Sequence, residues 1–172
     1  MTTIDQRRGE VRVFTFKEGL LSAIAHDLEI AVDRFEITWD ETSVSATFDA
    51  GSLRVLHPIV HGKPSPGMLS TRDLAKIESN IASSVLRTDA FSQIHFRSLA
   101  ITKNGERVAL RGELTIAGRT NTIEADVRRE GDRYVTEVEI DQPRWGITPY
   151  SAMMGTLKIK PTVRVRLSVP ID

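Results

Sequence analysis

The 172-residue chain contains no cysteine, which excludes disulfides, thiolate nucleophiles and cysteine-bound zinc or iron–sulfur centres. It also lacks an excess of either charge. Its 23 Lys and Arg balance 23 Asp and Glu, so no global field draws it to nucleic acid. Aromatic residues are few (six Phe, two Trp, two Tyr), and they are not interleaved with basic residues as a nucleic-acid-binding face requires. No apolar run approaches the ~20 residues a spanning helix needs, so stable membrane insertion is not expected. Residues 1–10 are polar and carry no secretory signal pattern; a cytoplasmic location is expected, or a periplasmic one for a chain whose leader has been removed. There is no phosphate-binding glycine loop either: Gly112 and Gly118 have the wrong spacing and fall on strands.

What is present is the composition of a folded domain, 40% hydrophobic and 27% charged. The whole chain, 1–172, reads as a single domain with a polar N-terminal tail over 1–9. Val11 to Phe16 is rich in strand formers. From Leu28 to Trp39 the apolar residues alternate, but the phase slips by one at Asp33-Arg34, which predicts a β-bulge. Asp40-Glu41-Thr42 predicts a hairpin into Ser43 to Phe48. Gly51 to Gly67, with three prolines, reads as a long loop holding at most a short strand at Leu53 to Leu56.

The period then changes. Ser70 as N-cap, with Asp73 three residues on, opens an apolar stripe of Leu74, Ile77, Ile81, Val85 and Leu86. This predicts an amphipathic helix over about residues 71–87 that packs across the end of a sheet or barrel. Beyond it lies a meander. Asn104-Gly105, Ala117-Gly118 and Gly131-Asp132 mark turns between alternating strands, and the last strand alternates from Leu157 to Val169 with Pro161 interrupting it. The count is about eight antiparallel strands and one helix, enough to close a β-barrel, with a two-sheet sandwich as the alternative.

Catalytic signatures are weak. His57 and His61 are four apart, but Pro58 between them argues against one helical face, and no acidic residue stands close in sequence to complete a metal site. Ser22, His26 and Asp27 lack a nucleophile elbow, and adjacent His26 and Asp27 point apart on an extended chain. No catalytic residue, metal or cofactor is assigned. The loop from Pro143 to Gly155 gathers Trp145, Tyr150, Met153 and Met154. Such side chains either plug one end of a barrel or form an adaptable gate.

Several ordered segments resemble the YceI-like proteins, a family of lipid-binding β-barrels. They are Gly19 to Leu28 ending in His26-Asp27-Leu28, Asp49 to Val55, the helix from Asp73 to Leu86, Ile94 to Ser98, Gly112 to Gly118, and Trp145-Gly146-Ile147 with the Met-rich loop. Together they span roughly residues 9–170. The resemblance implies a lipocalin-like barrel of eight antiparallel strands whose interior holds a polyisoprenoid, quinone-like or fatty-chain amphiphile. On this basis Phe96, Trp145, Tyr150, Met153 and Met154 are expected as apolar wall or gate and His26 as the polar contact. The expected role is non-enzymatic binding, transport or sequestration. The alternatives are a small-molecule enzyme or stress-response module using His26 as acid/base, and a structural domain with a filled core. Homodimerisation through an outer strand face is a further expectation.

Overall fold

A computed structural model describes residues 1–18, 26–152 and 157–171. In chain order the strands are β1 (Thr2–Asp5), β2 (Glu10–Thr15), β3 (Asp27–Val32), β4 (Phe35–Trp39), β5 (Val44–Asp49), β6 (Leu53–Val60) and β7 (Lys63–Pro64), followed by helix α1 (Thr71–Asn80). Then come β8 (Gln93–Asn104), β9 (Arg107–Ile116), β10 (Arg119–Glu130), β11 (Arg133–Asp141), β12 (Ser151–Ala152), β13 (Leu157–Lys158) and β14 (Thr162–Pro170). Among the described residues, twelve strands make one antiparallel sheet in the order β1-β4-β5-β8-β9-β10-β11-β14-β2-β3-β6-β7, and β12-β13 form a separate hairpin.

The sheet curls into a half-barrel of twelve strands, not the expected eight. The difference has a physical origin at Asp33-Arg34. The phase slip there is a corner that ends one strand and starts another, not a bulge. β3 pairs with β6 and β4 with β5, so the two ladders are halves of one bent hairpin, parted at 33–34 and at the 3-10 turn Ala50–Ser52. Ser52 holds the corner: its carbonyl accepts the Asp33 N–H at 3.0 Å and its Oγ accepts the Arg34 N–H at 3.0 Å. The Arg34 guanidinium meets the Asp49 carboxylate at 2.8 Å across the same gap. One half of this hairpin joins β8 through β5, and the other joins β2 through β3.

Two short edge strands supply the rest of the count. Residues 1–9, expected as a tail, contain β1, which pairs with β4 and buries Ile4 to 1% exposure. One apolar residue on the paired face suffices to anchor a short edge strand. The Gly51–Gly67 segment is mostly strand: β6 runs through Pro58, which is fully buried, and turns at His61-Gly62, both with positive φ, into β7. Proline is tolerated here because the β3–β6 register already shifts between Glu29 and Ile30, beside it. A genuine second bulge lies in β8 at Leu99, whose side chain is left 49% exposed.

The helix begins as its sequence predicts, with Ser70 Oγ accepting the Asp73 N–H and Asp73 accepting the Ser70 N–H, a complete capping box. It is α-helical to Asn80 and widens into a π-turn over Ile81–Val85, where the Leu86 N–H reaches the Ile81 carbonyl at 2.9 Å. Glu78 fastens it to the sheet by accepting the Val55 N–H at 2.8 Å.

Because the strands alternate in direction, the turns at 40–43, 104–106 and 131–132 gather at one end, the turn end. The helix, the 142–145 segment and the β12-β13 hairpin gather at the other, the helix end. At the turn end the Asp40 carboxylate accepts N–H and O–H groups of Thr42 and Ser43, which holds its pKa below the ordinary aspartate value; the Thr42 backbone N–H contributes most.

Phe96 lies against Gly112. A Cβ at Gly112 would fall 2.4 Å from Phe96 Cζ and 2.6 Å from the Arg97 carbonyl oxygen. Gly112→Ala is therefore expected to destabilise the fold by about 1–3 kcal/mol through overpacking, read as a lowered midpoint in urea unfolding with an unchanged slope.

Candidate functional site

Strand alternation sorts the barrel wall. Arg12, Glu29, Arg97, Arg111, Glu113, Glu124, Glu137, Glu139, Arg164 and Arg166 take the outward positions. Val13, Ile30, Phe96, Leu110, Leu114, Ile123, Ala125, Val138, Val165 and Leu167 take the inward ones. The inward residues do not merge into one packed core. A cluster near the turn end contains Ile4, Val11, Val32, Phe35, Ile37, Ala46 and Val169. A second, around Leu114, Ile116, Ile140, Trp145 and Ile147, lies toward the helix end. A third, Leu28, Ile30 and Val55, sits beneath the helix.

Between these clusters Val13, Phe96, Ile123, Ala125, Val138, Val165 and Leu167 face inward yet stay only half-buried. So do Leu74, Ile77 and Ile81 on the helix stripe, and no residue of α1 is fully buried. Thr15 faces inward opposite Leu28, and its Oγ1 is buried without a hydrogen-bond partner among the described residues. A buried hydroxyl left unpaired is costly unless something else bonds to it. The arrangement is an apolar interior, incompletely filled by its own side chains, with one free hydroxyl near the helix.

The expected site residues fall in different places. Phe96 is on β8, inward and half-buried, touching the first two clusters. Trp145 is 1% exposed at the helix end, its indole N–H donating to the Leu114 carbonyl at 2.9 Å. Its cradle is built by neighbours. Asn121 Nδ2 donates to the Arg144 carbonyl at 2.8 Å, Arg144 donates to the Thr122 carbonyl at 3.1 Å, and the Arg144 guanidinium stacks 5.0 Å above the indole. Gly146, at φ +70, ends that turn and leaves room for Arg119, whose Cζ lies 2.9 Å from where a Cβ would be. Tyr150 is half-buried, and its hydroxyl accepts from Asn80 Nδ2 at 3.2 Å, linking the loop to the helix. Met153 and Met154 lie outside the described residues.

His26 is half-buried just before β3. The neighbouring Asp27 carboxylate accepts the Lys17 N–H at 2.7 Å, so it is engaged with backbone rather than with an imidazole. His57 faces outward, 3.3 Å from Glu29, which also pairs with Arg12 at 3.3 Å. His61 occupies a left-handed turn position and His95 lies 3.5 Å from the Thr47 hydroxyl on the outer face. The histidines are therefore dispersed. Apart from Phe96, the half-buried inner wall residues and Thr15 were not singled out from sequence; their alternation was visible there, but not the fact that their inner face stays open.

Solved structures share this fold, and two of them cover nearly the whole chain. One is BcnA of Burkholderia cenocepacia, 16% identical, with 94% of each chain covered and a TM-score of 0.64. The other is a polyisoprenoid binding domain from Saccharophagus degradans implicated in plant cell wall breakdown, 11% identical, covering 97% of this chain and 94% of that one, with a TM-score of 0.62. No curated protein matches the sequence. The YceI-like domain family matches residues 3–171, and the chain belongs to that family.

The indole hydrogen bond gives a direct test of how the helix end is held. Trp145→Phe keeps most of the ring but leaves the buried Leu114 carbonyl unpaired. The expected loss is about 1–3 kcal/mol of stability, measured by chemical denaturation.

Proposed function

We propose that this YceI-like domain binds a long-chain apolar ligand in the interior of its half-barrel, without chemical turnover. The observation that carries the reading is the set of inward apolar residues, from Val13 and Phe96 to Val165 and Leu167, that stay half-buried between three separate clusters. A hydrocarbon chain laid there covers them and gains about 0.8 kcal/mol per methylene, less the cost of ordering the chain. The polyisoprenoid binding domain of similar fold supports the same class of ligand.

The finer reading concerns the head group. Charged wall residues alternate outward, and the segments 19–26 and 145–157 contain no charged residue. The helix end carries three uncharged polar side chains, the Thr15 hydroxyl, the Tyr150 hydroxyl and the Asn80 amide, with His26 as the expected contact. Among the described residues the lysines of the helix end are exposed at the rim rather than set within the interior, and burying a phosphate or carboxylate there unpaired is prohibitive. The ligand is thus a neutral amphiphile, an isoprenoid alcohol or quinone rather than a phosphate. Phe96 forms wall, Trp145 braces the closed side, and Tyr150 borders the mouth.

Calorimetry with farnesol and farnesyl phosphate tests both levels. Farnesol is expected to bind and farnesyl phosphate to bind at least about tenfold more weakly, a difference of ~1.4 kcal/mol. Ala125→Trp, which fills the interior, should abolish farnesol binding while the circular dichroism spectrum stays unchanged. An absence of bound lipid after organic extraction of protein from its own host, with no thermal shift from farnesol, would falsify the reading. Turnover of a small substrate that is lost in His26→Ala would favour an enzyme instead.

A further inference from the structure

Basic residues are used in two distinct ways. Several arginines of the outer wall are spent on ion pairs: Arg97 with Glu113 at 2.6 Å, Arg107 with Asp126 at 2.8 Å, Arg54 with Asp33 at 2.7 Å. No lysine takes part in an ion pair among the described residues. Five of the six lysines, Lys17, Lys63, Lys76, Lys158 and Lys160, lie at the helix end, and all five are exposed; only Lys103 lies at the turn end.

Backbone bonds bring them together. Lys17 bridges Ile159, the Glu18 N–H donates to the Lys158 carbonyl, and the Lys160 N–H donates to the Phe16 carbonyl, so the three lysines stand on one stretch of the rim, Lys17 on the face of Ile159 and Lys158 and Lys160 on the opposite one. Lys63 sits between Gly62 and Pro64, which border an outer groove together with Phe16. Arg72 and Lys76 follow on the exposed face of the helix. The acids of this end, Glu18, Asp27, Asp73, Glu78, Asp89 and Asp141, keep their charges, but three of them are turned to the backbone: Asp27 accepts the Lys17 N–H, Asp73 completes the helix cap and Glu78 accepts the Val55 N–H. Met68, 51% exposed, projects from the loop leading into the helix.

We propose that the helix end is a docking surface for an anionic lipid bilayer, with Lys17, Lys158 and Lys160 on one side of the mouth, Lys63, Arg72 and Lys76 on the other, and Met68 entering the headgroup layer. Unpaired, solvated ammonium groups gathered at one end match the negative surface potential of such a leaflet, whereas paired arginines on the barrel wall do not. The attraction acts within a Debye length, so it orients the mouth toward the lipid without inserting any segment across it. This surface stands on charge placement alone and extends the reading of the interior by naming where a lipid ligand is collected or delivered.

The test is co-sedimentation with phosphatidylcholine vesicles with and without phosphatidylglycerol, across a salt series. Wild-type protein should bind the phosphatidylglycerol vesicles, lose them as salt rises, and ignore phosphatidylcholine. A triple variant, Lys17→Glu, Lys158→Glu and Lys160→Glu, should bind more than about a hundredfold more weakly, since losing each ammonium costs about fivefold and each added carboxylate repels the leaflet. The corresponding Gln triple should fall between it and wild type, and Lys103→Glu should match wild type. Equal binding by the Glu triple with its native circular dichroism retained, an equal loss in Lys103→Glu, or binding to phosphatidylcholine alone would overturn the proposal. Farnesol binding measured in parallel without vesicles separates the two readings. Its absence with vesicle binding intact removes the interior ligand and leaves the docking surface standing.

Discussion

Ser52 carries a constraint from which most of the architecture follows. By accepting backbone N–H groups from both Asp33 and Arg34, it lets a long hairpin part its ladder and bend without leaving those donors unpaired. The bend sends β4 and β5 to one flank of the meander and β3 and β6 to the other. Without it the same residues would form a flat extension of one edge. With it, the sheet curls so that Val11, Val32 and Val169 meet Phe35, Ile37 and Ala46 across the interior. The Arg34–Asp49 pair spans the same corner, but Arg34 is exposed and Asp49 only half-buried, so its contribution is about 0–1 kcal/mol and the geometry rests on the backbone bonds.

Curling a sheet creates a volume that side chains must fill or leave. Here the two ends are treated differently. The turn end packs around Phe35 and Ile4, and the flank toward β9 and β11 is closed by Trp145, with its N–H satisfied at Leu114. The helix is the looser element: its stripe is half-buried throughout and it is tied to the sheet by Glu78 and to the rim by Asn80 and Tyr150. An element held by a few polar bonds and a half-buried stripe can be displaced with little loss of packing. Charge placement has the same polarity, with ion-paired arginines along the wall and unpaired lysines toward the helix end.

Much of this was legible in the chain. The turns at Gly105, Gly118 and Gly131 could be placed because each needs a residue that tolerates positive φ, and all three adopt it. The helix start was legible because Ser70 and Asp73 form their cap locally. The inner and outer faces of β9, β10, β11 and β14 follow from period-two alternation, with Val135, in phase with outward Glu137 yet buried, as an exception. Membership of the YceI-like family agrees with the resemblance carried by those ordered segments.

Other features depended on partners far away in sequence. A bulge and a corner produce the same phase slip at Asp33-Arg34, and only the position of Ser52, 18 residues on, distinguishes them. Pro58 marks a loop by its own chemistry, yet it lies in a strand because β3 presents a shifted register beside it. β1 has too few residues to declare itself and exists through its pairing with β4. Trp145 reads equally as plug or gate until the Leu114 carbonyl, 31 residues earlier in the chain, takes its N–H. The sequence by itself determined alternation, turns and the helix cap, because those are set by neighbouring residues. How far the interior is filled, and which end the lysines share, was decided by tertiary structure, because both depend on where the bent hairpin brings distant strands together.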